Sequence, residues 1–343
     1  MTVDIASNEF ALLRIVNMKR LSQSDNQEVR ELVLAAKTDG MFYLDFSDFD
    51  SDLYTGMVND IYSLSRSLFN LGLEEKLRYD IDTLTDLKTN GYKPIKRNLG
   101  GTPGQRDGFE SYTIPPSSIF ELTDEPFPRP TPIDEHWDTL RQFTIICRTS
   151  ADIILQALSE ALDLPAARGF ESFHRQSEST LDIIRMLRYE SADPAENSTM
   201  CIPQTAHTDL GSITLLFSNR PGLQLCPRGS DKWLYVKPQP NSAIVNLGDA
   251  ISVWSNGAFQ SALHRVASLP NRGMAERYSF GYLMRPVNNA PMCSLLNYPE
   301  GELERSIPSC QEWMQAKFVA LRGKTEIGGT AILTGRPESF PIS

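Results

Sequence analysis

His207-Thr208-Asp209, Asn246-Leu247-Gly248-Asp249, Trp254-Ser255-Asn256-Gly257, His264-Arg265-Val266 and Arg277-Tyr278-Ser279 follow one another in a single stretch of the chain. In and around it, runs rich in β-branched and aromatic residues are separated by Gly, Pro, Asn and Asp. They fall at 182–189, 212–217, 223–226, 233–236, 242–246, 251–254, 263–267 and 277–284. Short runs with turn residues between them predict short strands, and a series this long predicts a sandwich or jelly roll rather than a parallel sheet.

Outward from this stretch, on its amino-terminal side, the hydrophobic period becomes helical. Val29, Leu32, Val33 and Ala36 predict a helix over 27–38, stopped by Asp39-Gly40 and followed by a strand at Met41-Phe42-Tyr43-Leu44. Leu53, Met57, Ile61, Leu64 and Leu68 share a helical face over 51–70, and a short helix starts near Leu73-Glu74-Glu75-Lys76. Asn90-Gly91-Tyr92-Lys93-Pro94 and Gly100-Gly101-Thr102-Pro103-Gly104 read as loop, ending at a strand near 109–113. Pro115, Pro116, Pro126, Pro128, Pro130 and Pro132 predict an extended connector without regular structure. Residues 134–162 carry the longest helical stripe, the expected scaffold across a sheet, and 310–322 predict a closing helix. The expected division is a helical leader region at 1–132, a catalytic β domain at 133–323 and a tail or lid at 324–343.

Bulk properties narrow the partners. The 343 residues carry a net charge of −10. That argues against a nucleic-acid backbone or an anionic membrane as the main partner, whereas a small anionic ligand needs only one or two local Arg or Lys. Cys147, Cys201, Cys226, Cys293 and Cys310 are scattered with no C-x-x-C pair, which reads as free thiols in a reducing compartment. The amino terminus shows no signal-peptide pattern, and no apolar run approaches the ~20 residues of a membrane helix. A soluble, cytoplasmic protein is expected; its oligomeric state is not readable.

There are four histidines, and two of them, His136 and His174, stand among polar neighbours as surface or capping residues. His207 and Asp209 differ. Two apart in an extended segment, they project from one face and can reach one ion. A second imidazole from a distant strand, His264, would complete a two-histidine, one-carboxylate set, the arrangement of non-haem iron(II) oxygenases. Arg277 and Ser279 also share a strand face. A guanidinium fork with a neighbouring hydroxyl can hold a carboxylate, and an arginine inside a barrel needs an anionic partner.

These residues resemble the iron(II)/2-oxoglutarate-dependent dioxygenases of the isopenicillin N synthase-like family. The motifs quoted above appear in family order, with Gly222-Leu223-Gln224-Leu225 and Trp233-Leu234-Tyr235-Val236 between them. The amino-terminal half adds Asp39-Gly40-Met41-Phe42-Tyr43-Leu44, Leu73-Glu74-Glu75-Lys76, Gly91-Tyr92 and Asp107-Gly108-Phe109-Glu110. The resemblance implies a mainly β fold with flanking helices: a double-stranded β-helix (jelly roll) core behind a helical amino-terminal region. It implies His207, Asp209 and His264 as iron ligands, and Arg277 and Ser279 as the pair holding the far carboxylate of 2-oxoglutarate. Tyr189 matches either a cosubstrate contact or a packed core tyrosine. Three departures stand out: Tyr189-Glu190 where the family has Tyr-Pro, Leu187 where it has a polar residue, and a long segment at 268–276.

The implied reaction uses Fe(II), 2-oxoglutarate and O2 to oxidise a small molecule by hydroxylation, desaturation or radical rearrangement, releasing succinate and CO2. The expected substrate is a largely apolar specialised metabolite. Its pocket is expected at the barrel mouth, with Tyr92, Phe109, Phe217, Leu225 and Phe318 as substrate contacts or fold packing. Two alternatives stay open: an iron oxidase of the same fold without 2-oxoglutarate, and a jelly-roll protein that binds a ligand without turnover.

Overall fold

Side chains alternate across a strand, so one apolar face per strand is enough to build a layer. Twelve strands among the described residues use that rule. They are β1 (Ile15–Asn17), β2 (Met41–Asp45), β3 (Gly91–Lys93), β4 (Phe109–Ile114), β5 (Ile183–Tyr189) and β6 (Gln204–His207). The others are β7 (Ile213–Ser218), β8 (Leu223–Leu225), β9 (Leu234–Tyr235), β10 (Ser242–Leu247), β11 (His264–Val266) and β12 (Arg277–Met284). The computed structural model describes residues 9–49, 51–85, 88–101, 104–122, 127–191, 202–269, 274–298 and 306–315.

An eight-stranded sheet runs β1-β2-β10-β7-β12-β5-β4-β3, and a four-stranded sheet runs β6-β11-β8-β9. Apart from the parallel pair β1–β2, neighbours are antiparallel. On the outer face of the large sheet, Ile184, Met186, Phe280, Tyr282 and Met284 join the main core with the helices Ser51–Phe69 and Trp137–Glu160. Phe217 and Phe280 stack there at 5.1 Å between ring centroids. The inner face, with Leu187, Tyr189, Arg277 and Ser279, looks toward the small sheet. The jelly-roll expectation therefore holds, with the helical region packed on its outside.

Four local expectations are corrected. Residues 91–93 form β3 rather than loop: Gly91, at φ +114°, lies so close to Tyr79 that a Cβ would meet its carbonyl at 2.5 Å, which seats the strand edge beside β4. The proline-rich connector holds two short helices, Pro116–Ile119 and Thr131–Glu135, because a proline in the first turn loses no hydrogen bond. Residues 251–254 lie in a helix, Asp249–Trp254, not a strand. The β-like alternation misleads here because Ile251 and Trp254 also fall on one helical face, both fully buried. His174 is neither at the surface nor capping: it is buried, bonded to the Phe170 carbonyl at 2.7 Å and Ser212 Oγ at 2.8 Å. The closing helix is described over 310–315, and Phe318 and the tail lie outside the described residues.

Candidate active site

His207 ends β6 and His264 opens β11, and these strands pair with the two histidines directly opposite each other. Their rings stand 4.4 Å apart between centroids. Each Nδ1 lies 2.9 Å from a main-chain carbonyl, Thr205 for His207 and Ala262 for His264. Each Nδ1–H is therefore donated to the backbone, and each Nε2 turns its lone pair inward.

Asp209 lies just past β6 rather than within it. Its Oδ1 is 3.8 Å from His207 Nε2 and 3.9 Å from His264 Nε2. Thr214 Oγ1 donates to its Oδ2 at 2.6 Å, leaving Oδ1 aimed at the histidines. The turn that carries Asp209 is pinned by the helix Asp249–Trp254, whose first N–H donates to the Asp209 carbonyl at 2.9 Å. The Asp249 carboxylate also accepts from Thr208 at 3.2 Å and Ser261 at 2.6 Å, tying together the approaches to both histidines.

Metal bonds to nitrogen and oxygen of about 2.1 Å can span these separations. His207, Asp209 and His264 are the metal-capable group found among the described residues, with one donor atom from each lying within 4.8 Å of the others. Two neutral imidazoles and one carboxylate leave several positions open on a six-coordinate ion, so the donor set fits non-haem iron.

The same cavity, of about 70 Å³, reaches from the triad to Arg277 and Ser279 on β12. Arg277 is 1% exposed. Its Nε donates to the Arg220 carbonyl at 3.2 Å and its Nη1 to Ser279 Oγ at 3.2 Å, while Nη2 has no partner among the described residues. Burial lowers its pKa, opposed by Tyr189 and Tyr62. Gly222 makes room for it, since a Cβ there would stand 3.3 Å from Arg277 Cδ. A buried guanidinium with a free N–H and no carboxylate is a socket for an anion. Tyr189 lies beside it, its ring centre 5.0 Å from Arg277 Cζ, and its hydroxyl donates to Gln204 Oε1 at 2.6 Å. That tyrosine lines the cavity and also packs on Phe109.

A second cavity, of about 190 Å³, adjoins the first and shares His207, Gln204 and Arg185 with it. Of the residues expected around the substrate, Phe109 lines it. Tyr92, Phe217 and Leu225 are placed elsewhere, and Phe318 lies outside the described residues. Tyr92 turns to the outer face, where its hydroxyl donates to buried Glu110 at 2.5 Å. Phe217 is packed among Phe143, Phe280 and Tyr54. Leu225 belongs to a cluster with Met41, Tyr43 and Ile244. In their place the wall is strongly polar, with Lys93, Asp107, Arg185 and Arg285 beside Ile81, Leu99 and Ile183. Burial lowers the Lys93 ammonium to about 8, against the pull of its ion-pair partner Asp107. Arg185 is missing from the sequence expectations, although it shares a strand face with Leu187 and Tyr189, which is a usable signal.

Fold and site together define a mononuclear non-haem iron oxygenase built on a jelly roll. The chain matches the model of the 2OG-Fe(II) oxygenase superfamily over residues 182–286, and over 13–135 that of the non-haem dioxygenase in morphine synthesis N-terminal region. It is 30% identical over 332 residues to the 2-oxoglutarate-dependent dioxygenase frbH of Dothideomycetidae sp. (strain 11243), covering 96% of each chain. It is 28% identical to the 2-oxoglutarate-dependent dioxygenase gloE of Glarea lozoyensis, covering 92% of this chain and 89% of that one. Among solved structures, a full-length Neurospora crassa protein in complex with alpha-KG superposes with a TM-score of 0.73 at 22% identity, over 92% of this chain and 98% of that chain. JOX2 in complex with 2OG, Fe and JA gives a TM-score of 0.68 at 20% identity, over 95% of this chain and 92% of that one. The protein belongs to the 2OG-Fe(II) oxygenase superfamily: it is an Fe(II)/2-oxoglutarate-dependent dioxygenase. No helix among the described residues is long and apolar enough to cross a membrane.

Proposed function

We propose that His207, Asp209 and His264 hold iron(II), that Arg277 and Ser279 hold the far carboxylate of 2-oxoglutarate, and that a small molecule is oxidised in the adjoining cavity. The observation that carries this reading is the buried Arg277, whose Nη2 has no hydrogen-bond partner among the described residues, in the same cavity as the triad. Bound iron(II) would supply dioxygen activation coupled to oxidative decarboxylation of 2-oxoglutarate, giving succinate, carbon dioxide and an oxidant for a substrate C–H bond. The atoms balance for hydroxylation, with one oxygen entering the substrate and the other succinate.

The chain's own residues do the rest. The carbonyls of Thr205 and Ala262 hold both imidazoles in the tautomer that presents Nε2. Thr214 holds Oδ2 of Asp209, so that Oδ1 faces the two imidazoles. Arg277 fixes one end of the cosubstrate, and Tyr189 stacks on that arginine. Hydroxylation is the default outcome; desaturation or rearrangement needs only a different placement of the substrate. Ile81, Leu99, Phe109 and Ile183 would seat the apolar body of a specialised metabolite. The buried free thiols of Cys147 and Cys310 accord with a cytoplasmic enzyme.

The test is an anaerobic titration of metal-free protein with iron(II) and then 2-oxoglutarate, followed in the visible. A weak charge-transfer band that requires both additions is expected. It should be lost in His207→Ala, and Arg277→Ala should weaken 2-oxoglutarate binding by roughly 30-fold or more, the cost of breaking a buried charge-assisted pair. Iron binding with no band, or a band indifferent to Arg277, would overturn the reading.

A further inference from the structure

The larger cavity gathers cations in a chain whose net charge is −10. Five cationic side chains line it, Lys88, Lys93, Arg97, Arg185 and Arg285, against the carboxylates Asp82 and Asp107. Most of these charges are already answered. Lys88 and Arg97 pair with Asp82, Arg97 also with Asp80 at 2.6 Å, and Lys93 with Asp107. Arg285 donates from Nη1 to the Leu181 carbonyl at 2.5 Å, and the buried carboxylate of Asp182, which accepts its backbone N–H at 2.7 Å, acts on its guanidinium through space.

Arg185 is different. Its one hydrogen bond among the described residues is a long one, from Nη2 to Ser111 Oγ at 3.4 Å, and its buried Nε has no partner. No carboxylate among the described residues lies in ion-pair contact with it. Asp209 and Asp107 act on it only through space, and both are committed elsewhere, one to the metal group and the other to Lys93. Nor is it needed by the cosubstrate socket, because Arg277 already fills that role. It stands where the two cavities meet, sharing that wall with His207, and its cross-strand neighbour on β12 is Gly281, which has no side chain to lie against it. A guanidinium held against a cavity without a counter-charge is costly unless a ligand supplies one.

We propose that Arg185 receives the carboxylate of the substrate, and hence that this dioxygenase acts on organic acids. The acid group is held on β5, the apolar body lies along Ile81, Leu99 and Phe109, and a C–H bond remote from the carboxylate is presented to the metal. This rests on the reading of His207, Asp209 and His264 as the iron site.

The test measures equilibrium binding under nitrogen, with no turnover, to enzyme loaded with iron(II) and 2-oxoglutarate. The probes are phenylacetate, 3-phenylpropanoate and octanoate, each beside its methyl ester. At least one acid should bind about tenfold or more tightly than its ester, the usual worth of a charge-assisted bond. Arg185→Met should abolish that preference, and Arg185→Lys should retain part of it, while both variants keep the charge-transfer band that reports a folded, loaded site. Esters binding as well as acids, no acid binding at all, or a preference that survives in Arg185→Met would overturn the proposal. Absence of the band in the unaltered enzyme would instead sink the iron-site reading beneath it.

Discussion

Two guanidiniums on neighbouring strands, Arg277 on β12 and Arg185 on β5, face the same interior and are supported differently. Arg277 leans on a carbonyl, a hydroxyl and the Tyr189 ring at 5.0 Å, whereas Arg185 has one long bond to Ser111 and the more distant Phe109 ring at 5.7 Å. The metal group is supported more tightly still. Thr214 sits on β7, on the opposite sheet from both histidines, and its hydroxyl decides which oxygen Asp209 offers. Thr214→Val keeps the shape and removes that bond. Iron(II) affinity should fall by about 10- to 100-fold, as for other residues that orient a ligand, while 2-oxoglutarate still binds the iron-loaded protein; a direct iron titration checks it. Arg277 and Ser279 could be grouped in the sequence because strand alternation puts i and i+2 on one face; His207 and Asp209 were grouped on the same argument, yet Asp209 lies in the turn past β6, and it is the pairing of β6 with β11 that sets His264 opposite His207. Arg185 obeys the same rule, but its role shows only once every neighbouring charge has been assigned a partner, and that is a three-dimensional matter.

Elements show the same division. Strands β5, β7, β10 and β12 were readable because their β-branched and aromatic runs are long enough to display period two. β1 and β3 carry too few side chains to show a period and, unlike the equally short β8 and β11, stand outside the series of β-rich runs; each is held by its pairing with another strand. Tyr92 illustrates the consequence. In a loop it would be a candidate substrate contact; in β3 it faces outward and joins Lys76 and Arg188 around the buried carboxylate of Glu110. That cluster fastens β3 and β4 to the helical side and so holds the floor of the larger cavity. Tyr92→Phe removes a bond to a charged acceptor and should lower stability by about 1.5–3 kcal/mol. Its signature is a lower urea midpoint with unchanged KM for any substrate; a KM change without loss of stability would return Tyr92 to the site.

At the scale of the molecule, strands from the region before residue 132 lie in the same sheet as those after it, with β2 beside β10 and β4 beside β5. Unfolding should therefore report on the site from either half. His174 gives a handle on this. Burial depresses its pKa to about 3, against 6.5 for an exposed imidazole. Between those values the unfolded chain takes up a proton that the folded chain refuses, so stability is fully present above 6.5 and falls as pH drops toward 3. The loss across that window should reach up to about 5 kcal/mol, at 1.36 kcal/mol per pH unit. His174→Gln, which cannot take up that proton, should show a flatter fall in urea midpoint over the same window; an unchanged slope would refute the assignment.

One consequence follows from how the site is split between layers. His207 and His264 hang from the four-stranded sheet, and Arg277 from the eight-stranded one. In the proposed reading the cosubstrate would span only what the facing imidazoles and guanidinium leave of the sheet separation, about 10 Å between backbones in a sandwich. Such a scaffold works as a caliper for the length of a keto acid. Oxaloacetate, one carbon short, and 2-oxoadipate, one carbon long, meet the same two jaws as 2-oxoglutarate but cannot span them equally well. The sheet spacing would set that limit through the reach of the side chains that face each other across it.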